Sequence, residues 1–257
     1  MTNYFDSKDT AKRYKIGRPN FHLLIVEKLQ EILNLKARLN NCLDVGCGTG
    51  LSTIPLLKIS EKAVGIDTSF EMLRQAERNP KVVYKELAAE KISELGMDFD
   101  MVVTSSVFHW LDQKAFLQEC HKVLKVNGFV VVHNNFFTGT TTDYKSDDFK
   151  EWLTERYLQR YVTPKRNNYQ LEEEEIKALG FEITHNERFE NTIFWTKEAL
   201  VNYLITQSNV IANLEMGTYS IEDVTEWLMG ELRLHFNEMD QREFVYANRL
   251  ILLQKIS

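Results

Sequence analysis

Three groups of residues in this 257-residue chain have types and spacing suited to chemistry. The first is the turn Asp44-Val45-Gly46-Cys47-Gly48-Thr49-Gly50, with glycines at alternate positions directly after the apolar run Cys42–Val45. That run reads as a buried strand, and Thr53-Ile54-Pro55-Leu56-Leu57 reads as the helix that follows. A strand, a glycine turn and a helix start make a nucleotide-type site, because glycines admit a ligand close to the backbone and first-turn N–H groups point at it. Leu51 stands where the dinucleotide fingerprint G-x-G-x-x-G needs its third glycine. Asp44, two residues before the first glycine, suits a cationic ligand or free backbone N–H groups better than a diphosphate. The plain alternative is a turn that only packs a helix on a strand.

The second group is Asp67, which ends the short strand Lys62–Asp67 and lies 21 positions after Gly46. In open α/β sheets an acid about 20 residues beyond the turn meets ribose hydroxyls. A carboxylate suits a vicinal diol because it accepts two hydrogen bonds at once. Thr68 and Ser69 open the next helix, with Ser69 as its cap and Met72 positioned either against an adenine face or in the core. The third group gathers where strands end. Phe99–Ser106 is apolar on both faces, as a central parallel strand is. It delivers Ser105, Ser106, His109 and Trp110 to the side where ligands sit, and the strand Phe129–Asn135 delivers His133, Asn134 and Asn135 there. His109 is a candidate general base or hydrogen-bond donor and Trp110 an apolar wall; His133, Asn134 and Asn135 are candidate substrate contacts.

An acid followed by G-x-G-x-G resembles the first motif of the class I S-adenosylmethionine-dependent methyltransferases. The resemblance is strongest over residues 41–135. It implies S-adenosylmethionine as cofactor, held by Asp44, Gly46, Cys47, Gly48, Thr49, Gly50, Asp67, Thr68 and Met72. It also implies that Glu90, beside Ala89, accepts from the adenine amino group and that Ser105 borders the same pocket. The order aromatic pair, Tyr14, Arg18-Pro19, helix, glycine turn is similar to the lid of small-molecule methyltransferases, in which Tyr14 and Arg18 would close on the cofactor. The pair His109-Trp110 and the phrase Trp195-Thr196-x-x-x-Leu200-x-x-Tyr203 resemble the branch that includes trans-aconitate methyltransferases. There Trp195 and Tyr203 would cover the substrate; their alternative role is core packing. The fold so implied is α/β, a Rossmann-like doubly wound sheet of seven strands in the order 3-2-1-4-5-7-6. Its strand 7 is antiparallel, and a lid and a helical cover complete it.

The elements that must position these groups follow from pattern. Asp9 or Thr10 is a candidate cap for a first short helix carrying Ala11 and Tyr14. Pro19 suits the start of a second helix, with Leu23, Val26, Leu29, Ile32 and Leu33 on one face. Val82–Leu87 reads as an edge strand, and Asn127-Gly128 as the turn before the fifth strand. Thr138–Asp143 reads as a polar loop. Phe149–Tyr161, Glu172–Leu179, Lys197–Ile205 and Ile221–Phe236 read as helices, Gly180 closing the second of these. Phe181–Phe189 and Phe244–Gln254 read as the closing strand pair. Length and 44% hydrophobic content fit one domain spanning 1–257: a lid and first helix to residue 40, a cofactor core over 41–137 and a cover over 138–257.

A net charge of −6 gives no broad basic field for nucleic acid and favours a small-molecule substrate. Three cysteines without a C-x-x-C pair read as reduced thiols of a cytoplasmic protein. The polar start Met1-Thr2-Asn3-Tyr4 carries no leader signal, and no apolar run approaches a membrane helix of roughly 18 residues. A monomer or a homodimer is expected. The activity expected is methyl transfer to a small molecule, at a carboxylate or hydroxyl oxygen. Two competing readings are a non-catalytic S-adenosylmethionine-binding or scaffolding protein, and an NAD-dependent oxidoreductase, which Leu51 and Asp44 disfavour.

Overall fold

A computed structural model describes residues 4–143, 145–164, 171–236 and 239–256; Met1–Asn3, part of the polar start, lie outside them. Seven strands form one mixed sheet: β1 (Leu39–Val45), β2 (Ser60–Asp67), β3 (Val82–Glu86), β4 (Phe99–Ser105), β5 (Leu124–Thr141), β6 (Phe181–Trp195) and β7 (Arg242–Lys255). Their spatial order is 3-2-1-4-5-7-6, as the resemblance implies, with β3 at the edge its sequence suggests. The chain divides into two compact units. A core unit comprises Asn20–Asn134, Arg166–Arg188 and Arg249–Ser257, and a second unit comprises Met1–Pro19, Asn135–Lys165 and Phe189–Asn248.

In the core unit β1 to β5 are parallel, and their registers align the carboxyl ends. Val45 pairs with Ile66 on one side and Thr104 on the other, and Ser105 pairs with His133. The interior is an apolar cluster that includes Leu43, Ile66, Val102, Phe116, Val130, Phe181 and Leu253. Parallel strands are buried on both faces, so their sequences run apolar rather than alternating. Helix α1 (Lys8–Gly17) belongs to the second unit; α2 (His22–Ile32), α3 (Phe70–Arg74) and α4 (Gln113–Val123) belong to the core unit. Asp112 caps α4 by accepting from the Ala115 N–H at 3.1 Å, and Ser69 caps α3 by accepting from Met72 N–H at 3.2 Å.

Several boundaries differ from those the sequence predicts. The cap of α1 is Ser7, whose Oγ accepts from Thr10 N–H at 3.2 Å, so Thr10 lies inside the first turn. Pro19 precedes α2 by three residues, and the buried face of α2 is Ile25, Val26 and Leu29, with Leu23 exposed. After the glycine turn there is no α-helix: Ile54–Lys58 is a single 3₁₀ stretch closed by Leu56 N–H to Thr53 O at 3.2 Å. The apolar pattern there suits either helix, and β2 begins two residues later. β5 starts early, because Phe99 pairs with Leu124 and Met101 with Phe129. Lys125–Gly128 are thereby looped out, with Asn127 in the left-handed region at φ 62°. β5 also continues through Thr138–Thr141, where a loop is predicted.

The second unit packs α5 (Ser146–Trp152), a π-helical turn (Leu153–Tyr157), α6 (Leu158–Arg160), α8 (Lys197–Leu204), α9 (Ser208–Glu215) and α10 (Ile221–Phe236) around an aromatic core. α7 (Glu173–Ala178) lies in the core unit, and Gly180 follows it at φ 83°. α9 is not visible in the sequence pattern. A buried pair anchors this unit: Arg242, with no exposed side-chain surface, donates to both oxygens of Asp143 at 2.8 and 2.9 Å.

Candidate functional site

The glycine turn leaves β1 with Gly46, Gly48 and Gly50 all at positive φ, of 68°, 54° and 78°. An added Cβ at Gly50 would stand 2.4 Å from the Tyr84 hydroxyl, whereas one at Gly48 meets nothing within 4 Å. Gly48 therefore faces open space, and Gly50 is closed by the ring above it. The turn consumes much of its own hydrogen bonding. Gly46 and Cys47 N–H donate to Ile66 O at 2.8 and 3.0 Å, and Gly50 N–H donates to Cys47 O at 2.9 Å.

Asp67 closes the turn from β2. Its Oδ2 accepts the Gly48 N–H at 2.8 Å and its Oδ1 the Ser69 N–H at 2.9 Å. An ionised carboxylate has about four lone-pair sites, more than the two N–H groups of the turn require. Asp44 lies beneath the turn with no exposed surface. Its Oδ2 accepts from Ser52 Oγ at 2.7 Å and Thr53 Oγ1 at 2.6 Å, while its buried Oδ1 has no hydrogen-bond partner. Burial pushes the Asp44 carboxyl up to about 6, with the hydroxyls of Thr53 and Ser52 opposing and Asp67 adding to the rise. An orphaned buried carboxylate oxygen beside an open glycine face is the environment a cationic group would relieve. Cys47 is buried, and burial raises its thiol well above the ordinary value. The Thr49 hydroxyl is buried without a partner.

Other predicted cofactor residues divide. Thr68 joins Asp67 to the α3 cap. Met72 is 2% exposed, buried within the core unit. Ala89 is buried at the start of a 3₁₀ stretch (Ala89–Leu95), and Glu90 beside it is exposed to solvent. Tyr84, whose ring closes on Gly50 and Gly65, is a residue the sequence does not single out, because β3 reads only as an edge.

At the carboxyl end of β4, where β5 runs on beside it, the structure brings Ser105 and His133 together, with Ser105 Oγ 3.4 Å from His133 Nδ1. Ser106 N–H donates to His133 O at 2.8 Å, and Ser106 takes φ 58°, an uncommon conformation for a residue with a Cβ. His109 and Trp110 occupy a 3₁₀ turn (Phe108–Trp110) rather than an α-helix, their rings 5.2 Å apart. Asn134 has a buried Oδ1 without a partner. Phe21 and His22, missed in the sequence, join this group: the Phe21 ring lies 5.6 Å from His133 and 4.3 Å from His22. Burial, followed by the neighbouring His133, lowers His22 to about 3, so it is neutral throughout the physiological range. The only sequence signal for His22 was its place at the first turn of an amphipathic helix.

Tyr14, Arg18, Trp195 and Tyr203 lie in the second unit. The Arg18 guanidinium stacks on Tyr14 at 4.6 Å and Tyr203 at 5.5 Å, and donates to Thr206 O at 2.6 Å. Trp195 stacks on Tyr203 at 5.3 Å and donates to the Tyr246 hydroxyl at 3.0 Å. Both Trp195 and Tyr203 are buried in the aromatic core.

Comparison with known proteins agrees with this geometry. Residues 43–132 match the methyltransferase domain family. A ubiquinone biosynthesis O-methyltransferase of Rhizobium etli is 28% identical over 154 residues, 55% of this chain and 60% of that one. The chain spans about half the length of the curated relatives it matches. Among solved structures, a protein assigned as a type II methyltransferase from Anaeromyxobacter dehalogenans superposes with TM-score 0.70 at 22% identity, over 93% of this chain and 98% of that one. Phosphoethanolamine N-methyltransferase 2 of Haemonchus contortus, solved with S-adenosyl-L-methionine, gives 0.51 at 20% identity, over 97% and 60%. Fold, turn and matched segment are those of a methyltransferase domain, and residues 43–132 belong to that family. S-adenosylmethionine is the ligand held by the Haemonchus contortus enzyme. The open face at Gly48, the paired N–H anchors on Asp67 and the orphaned Asp44 oxygen fit that sulfonium amino acid.

Proposed function

We propose that the chain transfers a methyl group from S-adenosylmethionine to an oxygen of a small-molecule acceptor. One observation carries the cofactor assignment: a carboxylate, Asp67, pinned between Gly48 and Ser69 N–H groups at the lip of a glycine turn whose central position is open. In this reading Asp67 receives the ribose diol, the turn from Gly46 to Gly50 lies along the amino-acid portion, and Asp44 offsets its positive charge from below. Bound there, the cofactor supplies a methyl carbon already activated by sulfonium. The protein's part is to hold two reactants at near-attack distance and to keep water out. Oxygen is favoured as acceptor atom by the O-methyltransferases among the relatives and by a site built of serine, histidine and asparagine side chains. The narrower likeness to trans-aconitate methyltransferases has no support in these relatives and is not carried further.

Calorimetry with S-adenosylhomocysteine tests the cofactor site, and labelled-methyl turnover over a metabolite extract tests the reaction. Binding by the wild type together with its loss in Asp67→Ala and Gly48→Val supports the assignment. Unchanged affinity in both variants rejects it. Binding without turnover on any acceptor returns the non-catalytic alternative.

A further inference from the structure

β6 is the last strand of the sheet, with β7 on one side and no strand of the described residues on the other. The two neighbours differ in burial. β7 buries every second residue from Arg242 to Leu252, whereas β6 has no buried residue from 182 to 194. Exposed and half-buried positions alternate there instead, and the exposed row includes Glu182, Asn186, Arg188, Glu190 and Thr192. An edge strand offers unpaired N–H and C=O groups, and proteins commonly keep such edges short, break them with proline or cover them. This edge is 15 residues long and carries no proline. Its charges are of both signs, and their order decides what can pair with it. On the half-buried face Glu187 is already bound to Lys28 at 2.8 Å. On the exposed face neither the Arg188 nor the Glu190 side chain has an ion-pair partner among the described residues.

A second copy laid antiparallel along β6 is related to the first by a two-fold axis through one residue, so that like faces meet. Like charges directly opposite one another across strands are unfavourable. An axis at Glu187, Arg188 or Glu190 sets that charge against its own copy, and one at Asn186 sets Glu182 against the partner's Glu190. An axis at His185 pairs Glu182 with the partner's Arg188 but engages only residues 181–189. An axis at Phe189 engages residues 183–195. It sets Arg188 opposite the partner's Glu190 and Glu190 opposite the partner's Arg188. We propose that β6 is the interface with a second copy of this chain, paired antiparallel about an axis at Phe189, so that two sheets join into one. The backbone ladder supplies the attraction and the two Arg188–Glu190 pairs select the register. A strip one strand wide is small for a stable interface, so the dimer forms at micromolar rather than nanomolar protein.

Sedimentation velocity over a concentration series tests this with wild type, Arg188→Glu and Glu190→Arg. Wild type is expected to dimerise, and each charge reversal to weaken association by roughly 10-fold or more, because it places like charges opposite each other twice. An equal mixture of the two variants is expected to regain wild-type association, since one then carries two acids and the other two bases at the facing positions. Loss of fold in a variant cannot produce that recovery. Register is read separately by mixing Arg188→Cys with Glu190→Cys under mild oxidation. Cys42, Cys47 and Cys120 are buried, and a disulfide is expected to form faster in the mixture than in either variant alone. Wild type that stays monomeric to roughly 100 µM overturns the proposal. So does a dimer indifferent to both charge reversals, a mixture that associates no better than its components, or a disulfide no faster in the mixture. All these readouts omit methyl donor and acceptor, so their failure leaves the methyl-transfer reading untouched.

Discussion

Asp67 closes the glycine turn through two N–H groups, and in the proposed reading the same carboxylate receives the ribose diol. Charge-assisted hydrogen bonds contribute about 1.5–3 kcal/mol each, so Asp67→Ala is expected to weaken S-adenosylhomocysteine by roughly 10²-fold in calorimetry. Asp67→Asn, which keeps an acceptor for Gly48, is expected to fall between. Asp44 carries a different expectation. Its folded value of about 6 lies above its ordinary 3.8, so the native state binds the extra proton between those limits. Stability therefore falls as pH rises through this window and stays lower above it, a difference on the order of 3 kcal/mol. Asp44→Asn has no proton to lose. In urea unfolding at pH 4 and pH 7, the variant is expected to gain on wild type at the higher pH; a gap that is the same at both would remove the buried-carboxyl account.

Among the elements, the glycine turn is held from two directions, by β2 beneath and by the Tyr84 ring of β3 above Gly50. Gly50→Ala meets both a positive φ and a hydroxyl 2.4 Å away, and is expected to cost more than the roughly 1 kcal/mol of strain alone. Tyr84→Ala in the same chain removes the clash and leaves the strain. Thermal unfolding should therefore show the two substitutions coupled; strict additivity would place the cost elsewhere. These local relations explain what was legible in the sequence. The turn and Asp67 are marked by residue type at fixed spacing, and the strand order follows once the resemblance is seen. The 3₁₀ stretch Ile54–Lys58 was hidden because an apolar run fits either helix. The extension of β5 through Thr138–Thr141 was hidden because that segment has no apolar alternation. His22 was hidden for another reason: its partner is far away in the chain, and only the folded registers of β4 and β5 bring His133 beside α2.

At the scale of the whole molecule, neither unit is one stretch of chain. The chain changes unit at residues 19/20, 134/135, 165/166, 188/189 and 248/249, and the core unit's apolar interior draws Ile176, Phe181 and Leu253 from outside the matched segment. A fragment ending at residue 137 would keep every cofactor residue of the core unit and still leave the Val130 and Phe99 surroundings uncovered. It is expected to lack cooperative thermal unfolding and to bind no S-adenosylhomocysteine; a folded, ligand-binding fragment 1–137 would show that the later segments are dispensable.

The late arrival of Leu253 bears on how the molecule is made. Synthesis proceeds from the amino end, so β4 is made more than a hundred residues before Leu253, which belongs to the same apolar cluster. A nascent chain stalled anywhere in that interval presents its greasiest surface to whatever chaperone or neighbour is at hand.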